Sequence, residues 1–282
     1  MPRADTALPL RHAVALGLLQ GPTELLPISS SAHTALLPWF ARWPYHELDP
    51  ELRKGFEVAL HTGAALALAL SMRRELMQGV SRSPATLIAV VALASAPPAL
   101  VGLAFGRAVE RRLGAPAQLA AGLAAGAVAM AIADAQPPRD GGRSCEHARL
   151  RDGVALGVAQ ATALVPGVSR SGATLTAARS RGFSRASAHA LCWAVALPVM
   201  SGASVLQGAR VLRAGVRPSF ALKMLAGLAA AFCSTLASAA LLRGSLSRVP
   251  LLPFALYRCL LAVAVLGRAN RVARARRRAA AR

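Results

Sequence analysis

The stretch Gln20-Gly-Pro-Thr-Glu24-Leu-Leu-Pro27-Ile-Ser29-Ser30-Ser31-Ala-His33 decides the fold. On a helix, Gln20 and Glu24 are four residues apart and share a face. Pro27 disfavours helix at the residue before it, and three serines and a histidine follow within six residues. The apolar run that carries the acid, residues 13–28, is interrupted by Gln20, Gly21, Pro22, Glu24 and Pro27. A membrane-crossing helix needs about 20 mostly apolar residues, so this run is too short. The serine-rich turn then leads into another short apolar piece. That pattern predicts a re-entrant helix–turn–helix, which enters the membrane and leaves by the same side. An ionised carboxylate at a helix centre in lipid costs about 2.5–3.5 kcal/mol. Glu24 therefore marks a functional site.

A second stretch repeats the pattern. Residues 154–168 form a short apolar run that ends in Pro166-Gly167 and leads into Val-Ser169-Arg170-Ser171-Gly-Ala-Thr174. Shifted by 140 residues, Ala15-Leu-Gly-Leu-Leu-Gln20 lies over Ala155-Leu-Gly-Val-Ala-Gln160, Ser29 and Ser31 over Ser169 and Ser171, and Thr34 over Thr174. Seven of these twenty positions are identical. Three long apolar segments follow each copy: 56–72, 85–105 and 115–134 after the first, 187–207, 221–242 and 251–267 after the second. An odd number of spans per copy turns the second copy upside down, and inverted repeats place their broken helices together near the bilayer midplane. The predicted fold is an all-α polytopic membrane protein, with about six transmembrane helices plus two re-entrant hairpins in an inverted repeat. It forms one integral membrane domain over 1–282, with repeat 1 at about 8–134, repeat 2 at about 150–267 and a basic tail at 268–282.

Composition agrees. The 282 residues are 55% hydrophobic and only 16% charged, against about 45–50% and about 25% in soluble domains. The net charge is +21, nearly all of it from arginine, since Lys54 and Lys223 are the only lysines. Seven arginines (268, 271, 274, 276, 277, 278 and 282) follow the last span. Directly after a hydrophobic span, such a tail faces anionic cytoplasmic lipid. With aromatics at 4% there is no stacking platform for single strands, so membrane lipids and not nucleic acid are the expected partners. With the tail inside, six spans place the N-terminus inside as well. Without the tail, Lys and Arg divide equally between the two sides, so the orientation rests on it. The polar start, interrupted at Arg11 and His12, lacks a signal-peptide pattern. Cys145, Cys192, Cys233 and Cys259 have neither metal-ligand spacing nor a disulfide framework.

The two polar turns should meet. Arg170, between two serines at the start of a helix, offers a rigid fork of donors that suits phosphate oxygens. The helix N-terminus adds backbone N–H groups and partial positive charge, and Gly167 and Gly172 allow close backbone approach. Opposite it stand Glu24, Gln20, His33 and the serines. A fork of cationic donors, hydroxyls, an imidazole and a carboxylate at membrane depth fit phosphoryl transfer on a lipid-borne phosphate. Acyl transfer fits less well, because no buried Asp is available to orient the histidine. A transporter or lipid flippase is the rival, since inverted repeats with broken helices are transporter architecture. Another membrane phosphatase superfamily, with Pro-Ser-Gly-His and Ser-Arg elements, requires a late His and Asp pair, and none follows Arg170.

The two motifs closely resemble those of the undecaprenyl-diphosphate phosphatase (bacitracin-resistance protein) family. Phe56-Glu-Val58, Ala196-Leu-Pro198 with Gly202-Ala203, and Phe254-Ala-Leu-Tyr-Arg258 are similar to its weaker landmarks. The resemblance covers nearly the whole chain. It implies hydrolysis of undecaprenyl diphosphate to undecaprenyl phosphate and inorganic phosphate, recycling the lipid carrier for peptidoglycan synthesis and conferring bacitracin resistance. It also implies a bacterial inner membrane location with the site opening toward the periplasm. By position, Glu24, Ser30, His33 and Arg170 match the catalytic residues. Gln20, Ser29, Ser31, Ser169, Ser171 and Thr174 match substrate-binding positions. Glu24 with Gln20 could hold Mg²⁺ or Ca²⁺; no organic cofactor is implied. Ser30, His33 or an activated water could be the nucleophile, and a homodimer is open. Gln20 stands where the family commonly has glutamate, Ala32 where it usually has glycine, and Pro22 is less usual.

Overall fold

The computed structural model describes residues 8–73, 84–136, 142–242, 245–246 and 248–280. Ten α-helices are found among them: α1 (Leu10–Leu25), α2 (Ser30–Ala41), α3 (Pro50–Ser71), α4 (Pro84–Arg112), α5 (Pro116–Ala135), α6 (Leu150–Thr162), α7 (Arg170–Ser180), α8 (Arg185–Ala214), α9 (Pro218–Leu242) and α10 (Leu252–Ala280). Short 3-10 turns at Pro44–Glu47 and Cys145–His147 precede α3 and α6.

Both predicted hairpins form. The helices of the first have 16 and 12 residues, those of the second 13 and 11. At about 1.5 Å per residue, none reaches the roughly 30 Å of a hydrocarbon core. The first reversal turns on Ser29, whose φ is 76°. A non-glycine residue in that left-handed region costs on the order of 1–3 kcal/mol and persists only where its surroundings hold it. At the second reversal Gly167 takes the positive φ, 95°, where no Cβ opposes it.

Among the described residues, five helices are long and apolar enough to cross a membrane: α4, α5, α8, α9 and α10. The segment predicted at 56–72 lies in α3, which has 22 residues but begins with Glu51, Arg53, Lys54 and Glu57. Asp49 caps α3, accepting from the amides of Glu51 and Leu52 at 2.9 and 3.2 Å. The tail differs from a plain appendage, because α10 runs without interruption to Ala280. Past Gly267 it is rich in alanine and arginine, both good helix formers, with no glycine or proline to stop it. Arg282 lies outside the described residues.

The hairpins are held by the spans of the opposite half. Helix α1 packs on α9 and α6 packs on α4, while α3 meets α8 and α5 meets α10. Small residues make these crossings close. A Cβ at Gly21 would lie 2.6 Å from Thr235 N of α9, and one at Gly157 would lie 2.7 Å from Leu93 O of α4. Ser234 Oγ also donates to Leu18 O at 2.6 Å. With lipid outside, such packing and interhelical hydrogen bonding take over from hydrophobic burial. Leu103, Val205, Leu241 and Leu260 accordingly point outward. The far end of the second hairpin is fastened by ion pairs. Asp152 binds Arg143 and Arg181, each at 2.8 Å, and Asp134 binds Arg179 at 3.1 Å and Arg185 at 2.8 Å.

Gly21→Leu or Gly157→Leu should force these backbones apart and cost at least about 1–3 kcal/mol, read as a lower thermal midpoint in detergent. Gly202→Ala, where nothing lies within 4 Å, should be neutral or slightly stabilising.

Candidate active site

The tips of the two hairpins meet. Helix α1 presents Gln20 and Glu24 on one face, and Gln20 Nε2 donates to Glu24 Oε2 at 3.0 Å. Both side chains are buried, at 0% and 3% exposure. Beyond the turn, Ser30 is the first residue of α2, and its hydroxyl donates to Glu24 Oε2 at 2.7 Å. Arg170, the first residue of α7, reaches across from the second hairpin and pairs through Nη2 with Glu24 Oε1. One carboxylate thus touches the serine of its own hairpin and the guanidinium of the other.

The flanking hydroxyls repeat between the turns. Ser29 and Ser31 hydroxyls lie 3.4 Å apart, and those of Ser169 and Ser171 lie 3.0 Å apart. Ser169 Oγ caps α7 by accepting from Gly172 N at 3.1 Å. Thr174 is turned away from the carboxylate, its hydroxyl donating to Arg170 O at 2.8 Å. The helices α2 and α7 both begin at the meeting point, so two N-terminal partial positive charges converge there.

His33 sits beside this cluster. Its Nδ1 is 2.8 Å from Ser29 O and its Nε2 is 2.7 Å from Tyr257 OH. A carbonyl only accepts, so Nδ1 carries the proton and Nε2 accepts from the tyrosine. The rings of His33 and Tyr257 stack with centroids 5.6 Å apart. Ser31 and Tyr257 are exposed and mark the open edge of the site.

Three participants had no role assigned from sequence. His61 of α3 places Nδ1 2.9 Å from Gln20 Nε2 and 3.1 Å from Glu24 Oε2. Its signal was an ionisable residue inside an apolar helix. Tyr257 and Arg258 lie in the Phe254–Arg258 landmark. Tyr257 meets His33 and Arg258 meets Pro27, each more than 200 residues away in sequence, so spacing could not reveal them.

Among the described residues, Arg170 Nη1, Gln20 Oε1 and, between the turns, Arg258 Nε are buried at the meeting point without a hydrogen-bond partner. Unsatisfied buried groups call for a ligand or water. The free half of the Arg170 fork is a donor ready for an anion. Among the described residues, no group of three or more His, Cys, Asp or Glu could hold a metal ion.

Removing one partner of the Glu24–Arg170 pair should leave the other charge stranded. The cost is about 3–5 kcal/mol for a fully buried pair, and less here because the Arg170 side chain is 19% exposed. Thermal unfolding of Glu24→Ala, Arg170→Ala and the double variant should give a coupling on the order of 1–3 kcal/mol.

The family model described as "Bacitracin resistance protein BacA" matches residues 13–264. The chain is 35% identical over 269 residues to an undecaprenyl-diphosphatase of Geobacter sulfurreducens, covering 91% of this chain and 97% of the relative. It is 36% identical over 267 residues to that of Geobacter metallireducens, covering 90% and 96%. Against that of Moorella thermoacetica it is 36% identical over 203 residues, covering 70% and 75%. A match that takes in both hairpins and all the spans between them places this chain in the bacitracin resistance protein BacA family, as a multi-pass membrane protein.

Proposed function

We propose that the protein is a membrane-embedded phosphatase that hydrolyses undecaprenyl diphosphate to undecaprenyl phosphate and inorganic phosphate, and so returns the carrier to peptidoglycan synthesis. The contact that carries this reading is Ser30 Oγ on Glu24 at 2.7 Å, with Arg170 on the other oxygen of the same carboxylate. The relatives, named undecaprenyl-diphosphatase, support the same substrate. They give the flippase or transporter reading no support.

Ser30 is the nucleophile and Glu24 its general base. The serine oxygen attacks the terminal phosphorus while Glu24 Oε2 takes its proton. The bond from that phosphorus to the bridging oxygen breaks, and the electron pair leaves with undecaprenyl phosphate, a stable anion that needs little acid assistance. Arg170 Nη1 and the N-termini of α2 and α7 hold the phosphoryl oxygens where charge develops. Water then attacks the phosphorus of the phosphoserine, and the bond from that phosphorus to Ser30 Oγ breaks. Glu24 returns to Ser30 Oγ the proton it took in the first step, and the water's oxygen and protons leave with inorganic phosphate. His33 fits a supporting role better than that of nucleophile, since both ring nitrogens are engaged. Ser29, Ser31, Ser169 and Ser171 line the turns around the phosphates, and Thr174 supports the backbone at Arg170.

A resident divalent cation fits this site poorly. Both Glu24 oxygens already accept from Arg170, Ser30 and Gln20, and Gln20 Oε1 is the one free acceptor of that pair. Mg²⁺ and Ca²⁺ want about six or more oxygens, so an ion here would have to arrive on the diphosphate. The basic end of α10 supports a cytoplasmic C-terminus in the bacterial inner membrane. There Arg268 donates to Trp39 O at 2.8 Å, and its guanidinium lies over the Trp39 ring, 4.8 Å from the centroid. The second hairpin then enters from the periplasmic side.

Purified protein in detergent should release phosphate from undecaprenyl diphosphate, whereas a pure transporter releases none. Ser30→Ala should lower kcat by about 10³-fold or more, and acid quench of a single turnover with labelled substrate should trap phosphoserine. Folded wild-type protein that turns over without any phosphoserine would move the attack to water. With the ion carried by substrate, chelator should raise KM, and added Mg²⁺ should reverse this at once.

A further inference from the structure

Arg258 is the largest fully buried side chain among the described residues, with 0% exposure. It projects from α10 between the two turns. Its Nη1 donates to Pro27 O at 3.4 Å and its Nη2 to Gly167 O at 3.1 Å. These two carbonyls are equivalent under the 140-residue shift that superposes the repeats. Each lies three residues before the first residue of the second helix of its hairpin, Ser30 in one and Arg170 in the other. One side chain therefore grips the same point of both turns.

The surroundings are shaped around that grip. A Cβ at Gly126 of α5 would collide with Nη2, and one at Gly172 of α7 would lie 2.7 Å from Nη1. A guanidinium in an apolar interior is stable only where oriented acceptors replace water. The turn carbonyls provide acceptors for both Nη groups, leaving Nε without a partner, and the missing side chains provide the space. The preceding residue, Tyr257, carries the contact to His33, so adjacent positions on one helix set the imidazole and both turns.

We infer that Arg258 is a positioning residue for catalysis: by joining the Pro27 and Gly167 carbonyls it fixes the distance between the hairpins, so that Ser30 and Glu24 on one face the same phosphate as Arg170 on the other. It does not touch the substrate. The inference rests on the phosphatase reading of the site. A displacement of about 1 Å in such a constellation costs about 100-fold in rate, and the two turns share no backbone hydrogen bond with each other among those described.

The test compares Arg258→Gln, Arg258→Lys, Gly126→Ala and the Arg258→Gln/Gly126→Ala double variant. Each is purified in detergent and assayed for phosphate release and thermal midpoint. Arg258→Gln should lose about 100-fold in kcat with KM within a few-fold of wild type, and Arg258→Lys should recover part of the loss. Gly126→Ala keeps the arginine but displaces its guanidinium, so kcat should fall and the double variant should be no slower than Arg258→Gln alone. A second readout is independent of turnover. Spin labels at Leu18 and Val158, equivalent and outward-facing on α1 and α6, report the hairpin separation once the four native cysteines are replaced. Their distance distribution should broaden in Arg258→Gln. A purely structural role would lower the thermal midpoint and leave kcat per folded molecule unchanged; that outcome, or losses that multiply in the double variant, overturns the inference. If Arg258→Gln does not fold, Gly126→Ala decides, and a wild-type kcat there overturns it. A wild-type protein that releases no phosphate counts against the phosphatase reading alone, because the label distances still decide the role of Arg258.

Discussion

The arrangement depends on one ion pair, Glu24 with Arg170, formed between two helix–turn–helix tips that are each too short to cross a membrane. Taking two charges out of water costs several kcal/mol per ion, and their attraction does not guarantee a net gain. An apolar pair of similar volume would stabilise the tips as well or better. Stability therefore does not account for the pair. Its surroundings do: Ser30 shares the carboxylate, and Nη1 of the arginine is left without a partner. The carboxylate keeps the guanidinium in place, and in the proposed reaction an arriving anion would draw that guanidinium partly away and free the carboxylate to accept a proton. The same two residues serve the empty and the loaded site.

Placing these groups within reach is a packing problem. Re-entrant helices are not anchored on both sides of the bilayer, so their depth is set by the spans they lean on. The close α1–α9 and α6–α4 crossings set that depth. Gly21 and Gly157 bring backbone against backbone, where contact is stiff because no flexible side chain intervenes. The ion pairs at Asp134 and Asp152 then hold the outer ends of the second hairpin. Depth and tilt of both tips are thus determined by elements far from the chemistry.

Much of this was legible in the chain. Interrupted apolar runs ending at Pro27 and at Pro166-Gly167 announced the hairpins, and the i, i+4 spacing of Gln20 and Glu24 survives as a direct hydrogen bond. Other features were hidden for physical reasons. Sequence left the proton acceptor open between His33 and Glu24. The geometry favours Glu24, because the left-handed backbone at Ser29 turns the start of α2 back toward α1, while His33 is taken up by Ser29 O and Tyr257. His61 was obscure because it enters from α3, and periodicity does not show which helix faces a turn. The extension of α10 was missed because arginine-rich composition was read as charge alone, although arginine also propagates helix well.

The asymmetry between the two hairpins explains how a duplicated backbone yields one reaction centre. Under the 140-residue shift, both copies keep the flanking serines, the turn and the helix start, but Ser30 corresponds to Arg170 and Glu24 to Leu164. A symmetric pair of acids would repel at the contact, and a symmetric pair of arginines would bind phosphate with nothing to attack it. These two differences give the first hairpin a hydroxyl beside a carboxylate and the second a guanidinium, the groups proposed above as nucleophile, base and cation. Each tip is then incomplete without the other, since Glu24 alone would be a stranded charge and Arg170 alone a passive anion site. The shared backbone supplies converging helix N-termini from both sides, and so the site can hold a negatively charged head group at membrane depth without a second carboxylate.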